Sequence, residues 1–156
     1  MAIDFDSLIS ENINSIRNIA RSYTNLRDSE DLMQEILIQL WRSHGHFRGD
    51  SRPETWLYRI AINTAITFQR QEIRNRKGQE KNRSLRTDGT FSAGLSQDEI
   101  LEAFVGDLND VDRAVLTMYL DGLTAVEMES VLGVTANAIS VRVSRLKGKF
   151  EKQFVD

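Results

Sequence analysis

The chain contains no cysteine, one proline and nine glycines in 156 residues. Without thiols there is no disulfide, no thiolate zinc site and no cysteine nucleophile. The longest uninterrupted aliphatic runs are three residues, such as Ile36-Leu37-Ile38. A membrane span takes about 20 mostly apolar residues, so membrane insertion is not expected. The opening Met1-Ala2-Ile3-Asp4-Phe5-Asp6 is acidic, unlike the basic start of a secretory signal, and the expected location is the cytoplasm. The two histidines, His44 and His46, lie in one stretch, and a His-x-His pair lacking a third ligand is a weak metal signal. No glycine-rich phosphate loop of the G-x-G-x-x-G or P-loop type occurs. Neither an enzyme nor a cofactor is therefore expected. What remains, 40% hydrophobic and 28% charged residues, suits a soluble globular protein of one ordinary domain or two small ones.

A formal net charge of −3 argues at first against a nucleic-acid partner, but the charge is segmented. Residues 1–37 hold three basic and seven acidic groups, and residues 38–94 hold eleven and five. Residues 95–134 hold one basic and nine acidic groups, and residues 135–156 hold five and two. Screening confines a charge's field to about 10 Å at ordinary salt, so a partner feels the local block rather than the total.

Helical spacing dominates the pattern, which predicts an all-α chain. Ile9, Ile13, Ile16, Ala20 and Tyr23 form one stripe, and a second helix is expected from Asp28 or Ser29 to about Ser43. After the glycine-containing stretch 44–50, Ser51 is expected to cap a third helix, with Pro53 in its first turn and Glu54 completing a capping box. That helix should run into the mid-seventies. Residues 77–95 lose all periodicity and read as a flexible basic linker. Four more helices should follow, starting at Ser96, Asn109, Thr124 and Thr135. The expected architecture is two small helical domains, 1–76 and 96–156, joined by the linker, the C-terminal one containing a helix-turn-helix.

Three helices have sortable faces. On the third, at 100° per residue, Leu57, Ala61, Thr64 and Phe68 form a core face. Trp56, Arg59, Asn63, Thr67, Arg70 and Arg74 form another, with Arg52 in line. Arginine suits phosphate, asparagine a base edge and tryptophan stacking on an unpaired base. On the last helix Ala136, Ile139, Val143, Leu146 and Phe150 make the apolar stripe. Asn137, Val141, Ser144, Arg145 and Gly148 lie opposite, flanked by Arg142, Lys149 and Lys152, the face a helix-turn-helix would set into a major groove. On the second helix Leu32, Met33, Ile36 and Leu40 face inward. Asp31, Gln34, Glu35, Ile38 and Arg42, with Trp41 beside them, face outward, a mixture suited to a protein partner.

Taken in order, these segments resemble the RNA polymerase sigma factors of the extracytoplasmic-function class, over residues 8–154. The stretches that carry the resemblance are Asp28 to Trp41, Trp56 to Asn63, and Leu120-Asp-Gly-Leu-Thr through Leu132-Gly-Val to Arg145. The resemblance implies binding of core RNA polymerase by Asp31, Leu32, Gln34, Glu35, Ile38 and Trp41. It implies recognition and melting of the promoter minus-ten element by Phe47, Arg48, Arg52, Trp56, Arg59, Asn63, Arg70 and Arg74. It implies reading of the minus-thirty-five element by Thr135, Asn137, Ser140, Val141, Arg142, Ser144, Arg145 and Lys149. It also implies restraint by an anti-sigma factor.

The chain departs from the family pattern in places. Glu129 stands where a small alanine is usual, Ser140 where a basic residue is frequent, and Asn109 where a proline usually precedes the fifth helix. A conventional helix-turn-helix regulator with an N-terminal sensing or dimerisation domain is the alternative, and a protein-binding adaptor a further one. The first leaves the Arg59, Asn63 and Arg70 stripe and the Gln34-Glu35 face without a role, and the second does not explain the basic recognition helix. The alternating charge blocks also predict that the free chain keeps its domains close, its basic faces partly masked by acidic surface or by an inhibitor.

Overall fold

The computed structural model describes residues 4–25, 27–79 and 96–155. Helix α1 (Phe5–Tyr23) starts at Asp4, whose carboxylate accepts from the Ser7 hydroxyl at 2.7 Å and the Ser7 amide at 3.3 Å. These bonds, the hydroxyl's foremost, hold the Asp4 carboxyl below the usual carboxylate range. Helix α2 (Ser29–Ser43) runs into a single tight turn at His44–His46. Helix α3 (Pro53–Gln79) is the longest element.

The predicted start of α3 is one residue early. With Pro53 as the first helical residue, Arg52 takes the capping position, so Ser51 precedes the cap and Glu54 is the second helical residue rather than the third. The Ser51 hydroxyl donates to the Arg52 carbonyl at 3.4 Å instead. The far end differs too. The helix continues to Gln79, so its last turn occupies the start of the expected linker, and residues 80–95 of that linker lie outside the described residues.

The C-terminal unit follows its caps closely. Helix α4 (Gln97–Gly106) begins with a Ser96–Glu99 capping box, α5 (Asp110–Leu120) with the Asn109 side chain on the Asp112 amide, and α6 (Ala125–Leu132) with a Thr124–Glu127 box. Asn109 thus performs by side-chain capping the helix start expected of a proline. Gly133, at φ 77°, ends α6 in the left-handed conformation that a side chain would resist, and Thr135 caps α7 (Ala136–Phe150) two residues later. The chain ends in a wide turn over Glu151–Val155 that brings Phe154 within 5.1 Å of the Phe150 ring. Among the described residues no helix is long and apolar enough to cross a membrane.

The predicted faces of α2 and α7 turn inward as expected, with Leu32, Met33, Ile36, Leu40, Ile139 and Leu146 buried. On α1 the burial shifts. Leu8, Ile16, Ile19, Ala20 and Tyr23 are buried, while Ile9 and Ile13 are only partly covered. On α3 the buried arc is wider than one stripe. Tyr58, Ile62 and Ala65 join Leu57 and Ala61, and Thr64 and Phe68 are half-buried. Helix α6 packs against α3, and Ile62 lines the cleft between them with Val131.

The two units share one continuous apolar core, reinforced by polar joints. The Tyr23 hydroxyl donates to the Asp110 carbonyl at 3.0 Å, and the Arg113 guanidinium lies 5.1 Å above its ring. The Thr117 hydroxyl donates to that of Ser22 at 3.1 Å. The Asp121 carboxylate accepts from the Ser15 hydroxyl at 2.6 Å and from the Tyr58 hydroxyl. Arg113 is itself buried and donates to the carbonyls of Gly106 and Leu108 at 3.1 and 2.9 Å, closing the open end of α4.

Burial pushes the Tyr23 and Tyr58 phenols above the usual tyrosine range, the Asp121 hydrogen bond adding to the effect at Tyr58. A phenol raised in the folded chain stays neutral there while the unfolded chain ionises near pH 10. Its contribution is therefore complete below about pH 10 and is lost as pH rises further. Urea unfolding midpoints should hold steady between about pH 7 and 9 and fall above about pH 10, and the fall should be smaller in Tyr23→Phe.

Candidate functional site

Three outward faces collect the residues singled out in the sequence. On α2, Asp31, Gln34, Ile38 and Trp41 are exposed, Trp41 at 60%. Glu35 is half-buried and accepts from the Gln39 side chain at 3.0 Å. Trp41 belongs to a small aromatic cluster, 5.4 Å from the Phe5 ring and 4.6 Å from the His44 ring. His44 is fixed in turn by a 2.6 Å contact between its Nδ1 and the Trp41 carbonyl. Leu32 is the exception. It is fully buried, because it falls on the same side of the helix as Ile36 and Leu40, so it positions the face without forming part of it.

On α3, Arg52, Arg59, Asn63, Thr67, Arg70 and Arg74 are all exposed along one side. Trp56 is half-buried and meets Phe47 edge to face at 5.6 Å, while Arg48 is exposed in the turn between α2 and α3. This turn bends at Gly49, at φ 82°. Asn63 opens onto a cavity of about 370 Å³ walled by Arg59 and Ile62 on α3 and by Ser130, Val131, Leu132 and Gly133 opposite. The stripe is therefore coherent, and the turn of the helix-turn-helix faces its middle.

On α7, Asn137, Ser140, Val141, Ser144, Arg145 and Lys149 are exposed, with Thr135 at the helix start. Arg142 departs from the expected set. Its guanidinium pairs with Asp112 on α5 at 2.6 Å, which turns it along the packed side of the helix. Glu129 is exposed, and the packing of α6 rests on Met128 and Val131 instead. The sequence reading missed Asp110, Glu127 and the Ser130 carbonyl, all of which meet α3 arginines. Their only sequence signal is their place in the acidic block 95–134.

These faces can be set beside known proteins. The family model for sigma-70 region 2 matches residues 8–75, taking in nearly all of α1 to α3. The extracytoplasmic-function RNA polymerase sigma-E factor of Haemophilus influenzae is 27% identical, with 96% of this chain and 86% of that protein covered. Its Escherichia coli K12 counterpart is 25% identical over 92% of this chain and 82% of that one. The chain thus carries a sigma-70 region 2 and is similar over nearly its whole length to extracytoplasmic-function sigma factors.

A solved structure of the Bartonella quintana sigma factor RpoE, in complex with the anti-sigma factor NepR, has the same fold. It superposes with a TM-score of 0.76 at 20% identity, covering 96% of this chain and 95% of that one. The region 2 match holds both outward faces of the N-terminal bundle, that of α2 and that of α3. The helix-turn-helix lies beyond it and is covered by the full-length relatives.

The separate positions of Arg142 and Arg145 on α7 have a measurable consequence. Arg142→Ala removes a short, two-thirds-buried pair and should lower unfolding free energy by about 0.5–1 kcal/mol. Arg145→Ala, exposed and without a partner among the described residues, should stay within about 0.5 kcal/mol in the same urea titration.

Proposed function

We propose that this chain is an extracytoplasmic-function sigma factor that binds core RNA polymerase and directs it to promoters, recognising the minus-ten element with α3 and the minus-thirty-five element with α7. The observation that carries the reading is the exposed α3 stripe within the sigma-70 region 2 match, followed in chain order by a capped helix-turn-helix. In this reading residues 1–76 form the region 2 domain, 77–95 the linker and 96–156 the region 4 domain.

The α2 face suits the polymerase. Ile38 and Trp41 offer an apolar centre, and Asp31, Glu35 and Gln34 a polar rim. Trp41 is held by Phe5 and His44, so little side-chain freedom is lost on docking. On α3 the arginines meet the backbone of the displaced strand, Asn63 a base edge, and the Phe47–Trp56 pair an unstacked base. Unstacking costs a few kcal/mol, which a preformed aromatic pocket offsets. On α7, Asn137, Ser140, Val141, Ser144 and Arg145 face base edges, with Thr135 and Lys149 near the backbone. Arg142 steadies α7 from behind.

The protein performs no catalysis of its own, works in the cytoplasm and is held by an anti-sigma factor. That last reading is supported by fold neighbours solved with such partners, NepR in one case and the cytosolic domain of CnrY in the other.

Run-off transcription with core polymerase and a genomic promoter library tests the whole assignment. Promoter-specific initiation should depend on adding this protein, and initiation indifferent to it would refute the function. Glu35→Lys with Gln34→Ala should weaken co-purification with core polymerase by about tenfold or more. Asn63→Ala and Arg70→Ala should instead reduce permanganate-detectable promoter opening by about tenfold while co-purification is retained.

A further inference from the structure

Leu101 of α4 and Leu120 of α5 each line two cavities. On one side lies an apolar hollow of about 320 Å³, with Phe104, Leu146 and Phe150 in its walls. On the other lies a mixed cleft of about 730 Å³, where α4 and α5 meet the end of α1 and where Val105, Thr117 and Arg21 form part of the wall. Both volumes fall in the range of small-molecule sites, and the meeting of two units is a common place for one. None of the residues assigned above to polymerase or DNA lines either cavity.

The charged groups of the two cavities are not equivalent. In the hollow, Lys147 lies 5.0 Å over the Tyr119 ring, and the Glu151 carboxylate shares the wall. An anion placed there meets Glu151. In the cleft, Arg21 is exposed and has no partner among the described residues. The Asp121 carboxylate of the same wall already accepts from Ser15 and Tyr58. A guanidinium takes a carboxylate through two parallel hydrogen bonds. The charge of Asp121 and the partly negative carbonyl end of α1 oppose a second negative charge on the same ligand. The cleft therefore suits a monoanion, and a phosphate monoester, close to dianionic at neutral pH, is disfavoured.

We propose that the two cavities form one binding site for an amphipathic monocarboxylate. Its head pairs with Arg21, and its alkyl chain lies along Leu101 and Leu120 into the hollow beside Phe104 and Phe150. A narrow, flexible chain suits a path over two leucines better than a rigid ring system does. The ligand covers apolar surface that water now touches, since Leu120 is 56% and Tyr119 37% exposed.

Isothermal titration of the full chain with octanoate, below its micellar concentration, tests the site. One octanoate should bind per chain and raise the thermal unfolding midpoint. Hexanoate should bind about tenfold more weakly, having two fewer methylenes to bury. 1-Octanol, with the same chain and no charge, should also bind about tenfold more weakly than octanoate. Arg21→Gln, at an exposed and unpaired position, should weaken octanoate by about tenfold and leave 1-octanol unchanged. Leu120→Ala should weaken both ligands by about threefold. Neither heat nor a midpoint shift with octanoate overturns the proposal. Octanoate affinity unchanged in Arg21→Gln overturns it too, and equal binding of octanoate and 1-octanol by the parent leaves the hollow to an uncharged apolar partner instead. Many weak sites per chain, indifferent to ligand length, mean adsorption on exposed apolar surface and also overturn it.

Discussion

The structure turns on one carboxylate. Asp121 closes α5, its amide returning to the Thr117 and Met118 carbonyls, and its side chain accepts from Ser15 of α1 and Tyr58 of α3. Three helices from both units therefore meet at one residue. The next residue, Gly122, turns at φ 92° and starts the chain toward α6. Where Asp121 is anchored thus sets where α6 lies, and α6 lies across α3. The other end of α5 is fixed by the same helix α1, through Tyr23 on the Asp110 carbonyl and Arg113 over the Tyr23 ring. With both ends of α5 pinned, the C-terminal unit cannot slide along the bundle without breaking half-buried hydrogen bonds, each costly to leave unmade.

This joint also accounts for much of the acidic block between residues 95 and 134, which as a bare sequence has no evident task. Its carboxylates divide by position. Asp112 steadies α7 through Arg142, Asp121 joins the two units, and Asp110 and Glu127 meet α3 arginines. Glu127 does so while also capping α6, and its bond from the Thr124 amide is the main reason its carboxyl lies below the usual range. The single base of the block, Arg113, is buried and spends its hydrogen bonds on the end of α4. The slight net negative charge of the chain is thus a poor guide to its partners. It averages basic faces with an acidic block whose carboxylates are engaged within the fold.

What could be read from the sequence was what short-range physics decides. The caps at Ser96, Asn109, Thr124 and Thr135 depend on residues three apart, and the structure has each one. The inward faces of α2 and α7 depend on helical period alone, and they too agree. The start of α3 was misplaced because Ser51 and Pro53 give competing signals one residue apart, and the proline's fixed φ decides. Leu32 faces inward by helical period, so only the resemblance sets it among contact residues, whereas Arg142 is a different case. A helix face read from sequence says which side a residue occupies, but a long side chain such as Arg142 follows its partner, and Asp112 lies thirty positions away. The joint at Asp121 joins residues separated by 106 and 63 positions, so no local pattern could announce it. Helix α3 shows the same limit, since Ile62 faces Val131 of α6 and Tyr58 faces Asp121, both distant in the chain.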